Sequence, residues 1–579
     1  MRRPFRLAGA LLALGLVSPF ARADGPPDPL RLIPKQADLV LKVDSPRKLL
    51  DAITSVEPLR QLSQFTAVRE ALDSTNFRRF RQLIDYYEKE LGASWPDLLD
   101  RAAGGGVAFA VKFEGAPDAP VLLVVQGRDA ALTKQAYGLV LGVVEQELAR
   151  QEVREKPVRE TYQGIETIRF NPKTHVALAG SAVLVANKRD VLERALDLHI
   201  KGAEESLAVG AGPAAARKLL DPDALLWMWI DLKKAHESPM GKEAFALPKG
   251  DPAQLILFGG PLDVFGHSPF VAMGIHQQSD AWRASFRLAS GRDATPDGVA
   301  LHLAPDGQPG CLPLLEPANV LYSNSFYLDL GKFWNEREKL LTEPTRKQLD
   351  KAEQTAGRFL AGRKLSELLN QSGPYKRFVA VTQRRTGYAK FSEQAIPAFA
   401  LVTSTRDAEF GKAMDGILRV VALLTGIQAR LKLAEETVDG VKLVGYRFAE
   451  DATLNGDPQN FRFNFSPCFA AVGDQFFAAS TIELGREMVA QLQKSAATGG
   501  DANVATRSRV YSAGGAALLK KFEDAILTQA ILDRAIPLDE AKRDAATLMD
   551  WVRRLGDVRT HADYRPHEFR FEIEWKPTK

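Results

Sequence analysis

Apolar positions along the chain alternate between two spacings. Runs such as Leu39-Val-Leu-Lys-Val43, Val121-Leu-Leu-Val-Val125 and Arg283-Ala-Ser-Phe-Arg-Leu288 are short and continuous or alternating, which predicts strands. Between them, SPRKLLDAI (from Ser45) and DLGKFWNEREKLL (from Asp329) carry helical spacing. Ser45 before Pro46 reads as a helix start, since proline at the first helical position loses no hydrogen bond. In the stretch from Phe77 to Leu91, Phe77, Phe80, Ile84, Tyr87 and Leu91 fall on one helical stripe. Arg78, Arg79, Arg81 and Asp85 fall mostly on the other side, so an amphipathic helix explains the arginines better than a nucleic-acid patch.

Comparing the chain with itself shows these elements recurring in order. Leu32-Ile-Pro34 through Val43 is answered by Leu314 through Tyr322, and Gly104 through Val111 by Gly373 through Val381. HVALAGSAVLVANKRDVLERAL (from His175) matches CFAAVGDQFFAASTIELGREMV (from Cys468), a strand, a glycine turn, a strand and a helix in each. The matched polar residues specify structure. Asp129 and Asp407 stand where helices begin, Ser480 to Glu483 and Asn187 to Asp190 have capping-box spacing, and Gly180 and Gly473 suit hairpin turns. The expected architecture is α+β: two tandem related repeats, each with a largely antiparallel sheet and packed helices. Residues 24–290 would form the first repeat and 314–579 the second, joined by a Gly/Pro/Asp-rich linker at 291–313.

The N-terminus does not fit either repeat. Arg2, Arg3 and Arg6 precede eleven apolar residues, Leu7 to Val17, followed by Pro19 and the small-residue pattern Ala21-Arg22-Ala23. That reads as a secretory signal peptide at 1–23, because a membrane-spanning helix needs about 20 apolar residues. Removing it changes the charge picture. The formal +4 rests on Arg2, Arg3, Arg6 and Arg22, and without them 72 basic residues face 72 acidic ones. A neutral chain has no global field to steer it onto nucleic acid. The expected product is exported, periplasmic or extracellular, and without a transmembrane anchor.

Catalytic signatures are missing: there is no H-E-x-x-H, G-x-S-x-G, C-x-x-C or G-K-[ST]. The eight histidines are dispersed, and Asp221-Pro-Asp223 reads as a turn. No cofactor and no metal are expected. Cys311 and Cys468 can pair outside the cytosol or remain separate buried thiols, and their spacing leaves both open. Trp227 and Trp229 alternate onto one face of a strand, as core or as an aromatic ledge for an apolar ligand.

Taken together, IPKQADLVLKVDSPRKLLDAI, the GGGVAFAV strand, ALAGSAVLVANKRDVLERAL and the signal peptide resemble exported bacterial proteins of an uncharacterised domain-of-unknown-function family. The resemblance implies a repeated α+β envelope protein and transfers no catalytic residues. The function expected first is therefore a non-enzymatic binding or scaffolding protein, its partner an envelope protein or ligand. An envelope hydrolase with carboxylates assembled from distant segments comes second, and an apolar-ligand carrier third. Intact-mass analysis of the chain recovered after export should give a mature form beginning at Asp24, cleaved behind Ala21-Arg22-Ala23.

Overall fold

A computed structural model describes residues 27–113, 118–150, 156–237, 239–357, 359–383, 387–392, 394, 396–454, 456–457, 459–494 and 502–578. Ala21 and Ala23 lie outside the described residues. The fold is α+β, with antiparallel sheet and packed helices. The described chain packs as two units. One contains residues up to Ala37 with 42–47 and 82–210; the other contains 38–41, 48–81 and 211–579.

Strand β1 (Leu39–Val43) is short and carries the fully buried Val40. The first unit holds β2 (Gly106–Val111), β3 (Val121–Gln126), β4 (Val158–Tyr162), β5 (Ile165–Asn171), β6 (Thr174–Ala179) and β7 (Ala182–Ala186). These pair antiparallel in the order β2-β3-β7-β6-β5-β4. The β4–β5 connection is two residues long, Gln163-Gly164, both at positive φ (46° and 86°). That conformation matches the twist of a tight hairpin, and glycine adopts it without steric cost. Gly180 turns β6 into β7 at φ 61°.

The second unit holds β8 (Leu226–Asp231), β9 (Phe270–Gln278), β10 (Ala281–Leu288), β11 (Val320–Tyr327), β12 (Ser372–Val381), β13 (Ala398–Thr405) and β14 (Leu431–Val438). It continues with β15 (Val441–Phe448), β16 (Cys468–Val472), β17 (Gln475–Ala479), β18 (Val504–Tyr511), β19 (Asp557–Tyr564) and β20 (Phe569–Lys576). From β8 the antiparallel order runs β9-β10-β20-β19-β18-β11-β12. It then continues β13-β17-β16-β15-β14. Its last six strands, counted from β12, follow the same succession as the six of the first unit. The details match too: Asp439-Gly440 turns β14 into β15 at φ 47° and 81°, and Gly473 turns β16 into β17 at 59°.

Helix starts follow local chemistry where the side chain is free to serve. Asp129 accepts from Leu132 N (3.0 Å) at the start of helix Ala130–Arg150, and Asp407 from Phe410 N (3.1 Å) before Glu409–Ala429. The two capping boxes are different from expectation. Ser480 Oγ accepts from Phe399 N and Asn187 Oδ1 from Val121 N, so both are committed to neighbouring strands. Thr481 caps Leu484 N (3.3 Å) instead. Helix Thr75–Leu91 forms as predicted, but its apolar stripe is only half-buried and Phe80 is exposed.

Residues 291–313, expected as a linker, lie inside the second unit. They form short turns at Arg292–Ala294 and Asp297–His302, and Val299, Leu301, Ala304, Cys311 and Leu312 are buried. The main core under helix Ile482–Lys494 contains Val379, Phe477, Met488 and Val489, none accessible to solvent. Replacing Asp407 by Ala removes one capping bond from an otherwise unchanged helix. The urea midpoint should fall by the equivalent of about 1 kcal/mol.

Candidate functional site

Helix Pro252–His267 crosses the apolar side of the central strands of the second unit. It starts at Asp251, whose carboxylate accepts from Gln254 N (3.1 Å), with Pro252 in its first turn. Its sequence, PAQLILFGGPLDVFGH, is apolar almost all round. Pro261 sits in the interior, where it lacks the N–H that would bond the Leu257 carbonyl. Gly259 and Gly260 provide a close approach: a Cβ on Gly260 would stand 3.0 Å from His302 Nδ1 and 3.6 Å from the Tyr564 hydroxyl.

Beneath this helix is a cavity of about 640 Å³. Its floor comes from strand alternation. The registers Phe286↔Phe571 and Ala284↔Ile573 place four apolar side chains on one face. Met273 from β9, Ala562 and Tyr564 from β19 and Phe326 from β11 extend the same surface. Among the described residues lining it there is no Asp, Glu, Lys or Arg. The volume lies within the few hundred to about 1,000 Å³ typical of small-molecule sites. Leu257, 61% exposed, also lines the cavity and so marks its connection to the surface.

The polar groups at this cavity are kept neutral. Burial pushes the His302 imidazole down to about 4, despite a hydrogen bond to the Ile256 backbone. Its Nδ1 has no hydrogen-bond partner among the described residues. Burial also raises the Tyr564 phenol well above its ordinary value, with the Asp263 carboxylate adding to the shift. Tyr327 is pushed up to about 12, mainly by burial. Such an interior disfavours an ionised guest and accepts an apolar one.

The residues singled out from the sequence lie elsewhere. Trp227 and Trp229 are 3% and 4% exposed, so they do not form a ledge. In register they oppose Gly274 and Ala272, on the face of the sheet opposite to Met273. The backbone of Gly212, in helix Ala211–Leu219, closes over the Trp229 indole. Cys311 and Cys468 are free, buried thiols in different surroundings and form no bridge. Arg507 Nε donates to Cys311 Sγ (3.2 Å), and Cys468 Sγ donates to the Thr481 carbonyl (3.2 Å).

The fold does gather Asp221, Asp223 and His276, whose ligand-type atoms lie within 4.8 Å of one another. In the sequence Asp221-Pro-Asp223 reads as a turn and His276 is one of eight dispersed histidines; β9 brings that histidine in from some fifty residues away. His276 Nδ1 stands 3.3 Å from Asp223 Oδ1, and Arg283 is ion-paired to Asp221. Burial, then the Arg283 charge, lower the histidine below its ordinary value. A cation entering here would compete with a guanidinium already in place.

No family model matches the chain, and no curated protein matches it. Among solved structures, crystal forms I, III and IV of TP0453 are similar to it at TM-scores of 0.23, 0.23 and 0.24. Their sequences are 12%, 12% and 11% identical, and each match covers 45% of this chain and 79–80% of the other. Likeness at that level carries no argument about function, which rests on the cavity alone.

His302 also gives the cavity a measurable pH signature. Folded, it stays neutral to about pH 4; unfolded, histidine takes up a proton near 6.5. The unfolded chain therefore binds more protons between those values. The stability that His302 contributes is complete above about pH 6.5 and falls by about 3 kcal/mol as the pH drops to 4. In urea titrations from pH 7 to 4.5, His302→Gln should flatten the decline relative to the unsubstituted protein.

Proposed function

We propose that this chain is a non-enzymatic binding protein that holds an apolar small molecule beneath helix Pro252–His267. The observation that carries the reading is the uncharged cavity of about 640 Å³. Well-packed cores leave few voids larger than a water molecule, so an apolar space of this size is costly without an occupant. The absence of carboxylates from its described lining weighs against the hydrolase alternative at this site.

The wider reading keeps the chain an exported envelope protein of two related halves. The signal-like residues 1–23 support export. The shared strand succession, with equivalent turns at Gly164/Gly440 and Gly180/Gly473, supports duplication. Its partner, on this reading, is the ligand itself rather than a nucleic acid.

The neutral dye N-phenyl-1-naphthylamine offers a direct test. Its fluorescence should rise saturably with the purified protein and fall when hexadecanol is added. Ala284 points into the cavity, so Ala284→Trp should weaken dye binding at least tenfold while leaving the thermal midpoint unchanged or higher. No saturable signal, or equal binding by Ala284→Trp, would sink the proposal.

A further inference from the structure

We propose that the opposite face of the same strands carries a second site, for a small phosphate-type oxyanion, between β18 and β19. This inference does not depend on the apolar cavity. Alternation along the two strands turns Tyr564 and Ala562 to the cavity and sends Arg507, Arg509, Arg559 and His561 the other way. There they line an open cleft of about 590 Å³, together with Glu316 and Pro313.

The register makes the charge arrangement unusual. Arg507 is directly opposite His561, and Arg509 is directly opposite Arg559. Like charges placed so, with Cβ atoms roughly 5 Å apart, destabilise a sheet unless something compensates them. Arg509 is compensated. It is ion-paired to Asp557 and to Glu316 (2.9 Å), and its guanidinium lies 4.5 Å from the centre of the Tyr511 ring.

The other two arginines are not. Arg507 has no carboxylate within ion-pair distance among the described residues, and its Nε donates to the Cys311 thiol. Burial raises that thiol's pKa, so the sulfur is neutral and cancels no charge. Arg559 likewise has no ion pair among the described residues. Glu574 is its cross-strand neighbour on β20, yet no ion pair joins them. His561 leans on Glu572 (3.5 Å), which is already ion-paired to the buried Arg287. Two guanidinium groups without an ion-paired carboxylate, lining one concavity, offer the charge and the forked donors that a phosphate-type oxyanion takes. Arg509, held by its own carboxylates, acts as a wall rather than as a ligand.

The test is calorimetric titration of the full chain with inorganic phosphate at low ionic strength. Saturable binding is expected. Arg559 is exposed, so Arg559→Gln should fold normally and weaken phosphate at least tenfold. Arg553→Gln, a surface arginine paired to Asp550, should stay within twofold. Arg507→Gln should repeat the loss, and Ala284→Trp should leave phosphate binding intact. Sedimentation with phosphatidylglycerol vesicles separates the sources. Vesicle binding that is lost in Arg559→Gln assigns the oxyanion to a lipid headgroup, whereas phosphate binding without vesicle binding assigns it to a soluble phosphate compound. Absence of saturable heat, or an Arg559→Gln variant indistinguishable from Arg553→Gln, would overturn the site.

Discussion

The apolar cavity of the second unit depends on the register of β10 against β20. That pairing sets Phe286 against Phe571 and Leu288 against Phe569 on one face, and Ser285 against Glu572 and Arg287 against Arg570 on the other. Side chains in a strand alternate with a period of two, so a slip of one residue would exchange the faces completely. The penalty would be large. The Arg287 side chain is 4% exposed and bonded to Glu572, with Glu568 at 3.4 Å, and a slip would drive it into an apolar space without those partners. The buried ion pairs on one side therefore hold the apolar cavity on the other side in place.

Helix Pro252–His267 is a weak helix by its own sequence. Two adjacent glycines and an interior proline all lower its intrinsic stability. Its geometry comes from contact: Leu255 and Val264 are fully buried, and Gly260 lets the helix approach His302 and Tyr564. The stretch 291–313 completes this construction, because Leu301 and Val299 pack with Leu255 while His302 faces the cavity.

What could be read from the sequence was whatever the chain decides locally. Asp129 and Asp407 cap the next helix, and Gly180 and Gly473 turn hairpins, because each partner lies within a few residues. Ser480 and Asn187 had the right spacing for caps, yet the backbone of a distant strand claimed both side chains. Spacing cannot weigh that competition. For Trp227 and Trp229, alternation correctly put both on one face, but which face is covered depends on helix Ala211–Leu219 folding over it. The cavity had no local signature, since its lining is drawn from six strands, one helix and a turn. The cleft is similar: Arg507 and Arg559 are ordinary surface-type residues until β18 and β19 pair.

The β10–β20 pairing also sets a timetable. Its two strands are separated by about 280 residues, so β10 leaves the ribosome long before its partner exists. At about 5–20 residues per second, its outer edge stays unpaired for roughly 15–60 s of synthesis. During that interval Phe286 and Leu288 lie on an open strand edge of the kind that recruits other chains. Contacts this distant in sequence also form slowly. The half-built sheet is thus the stage of this protein's life most exposed to aggregation and to chaperone capture.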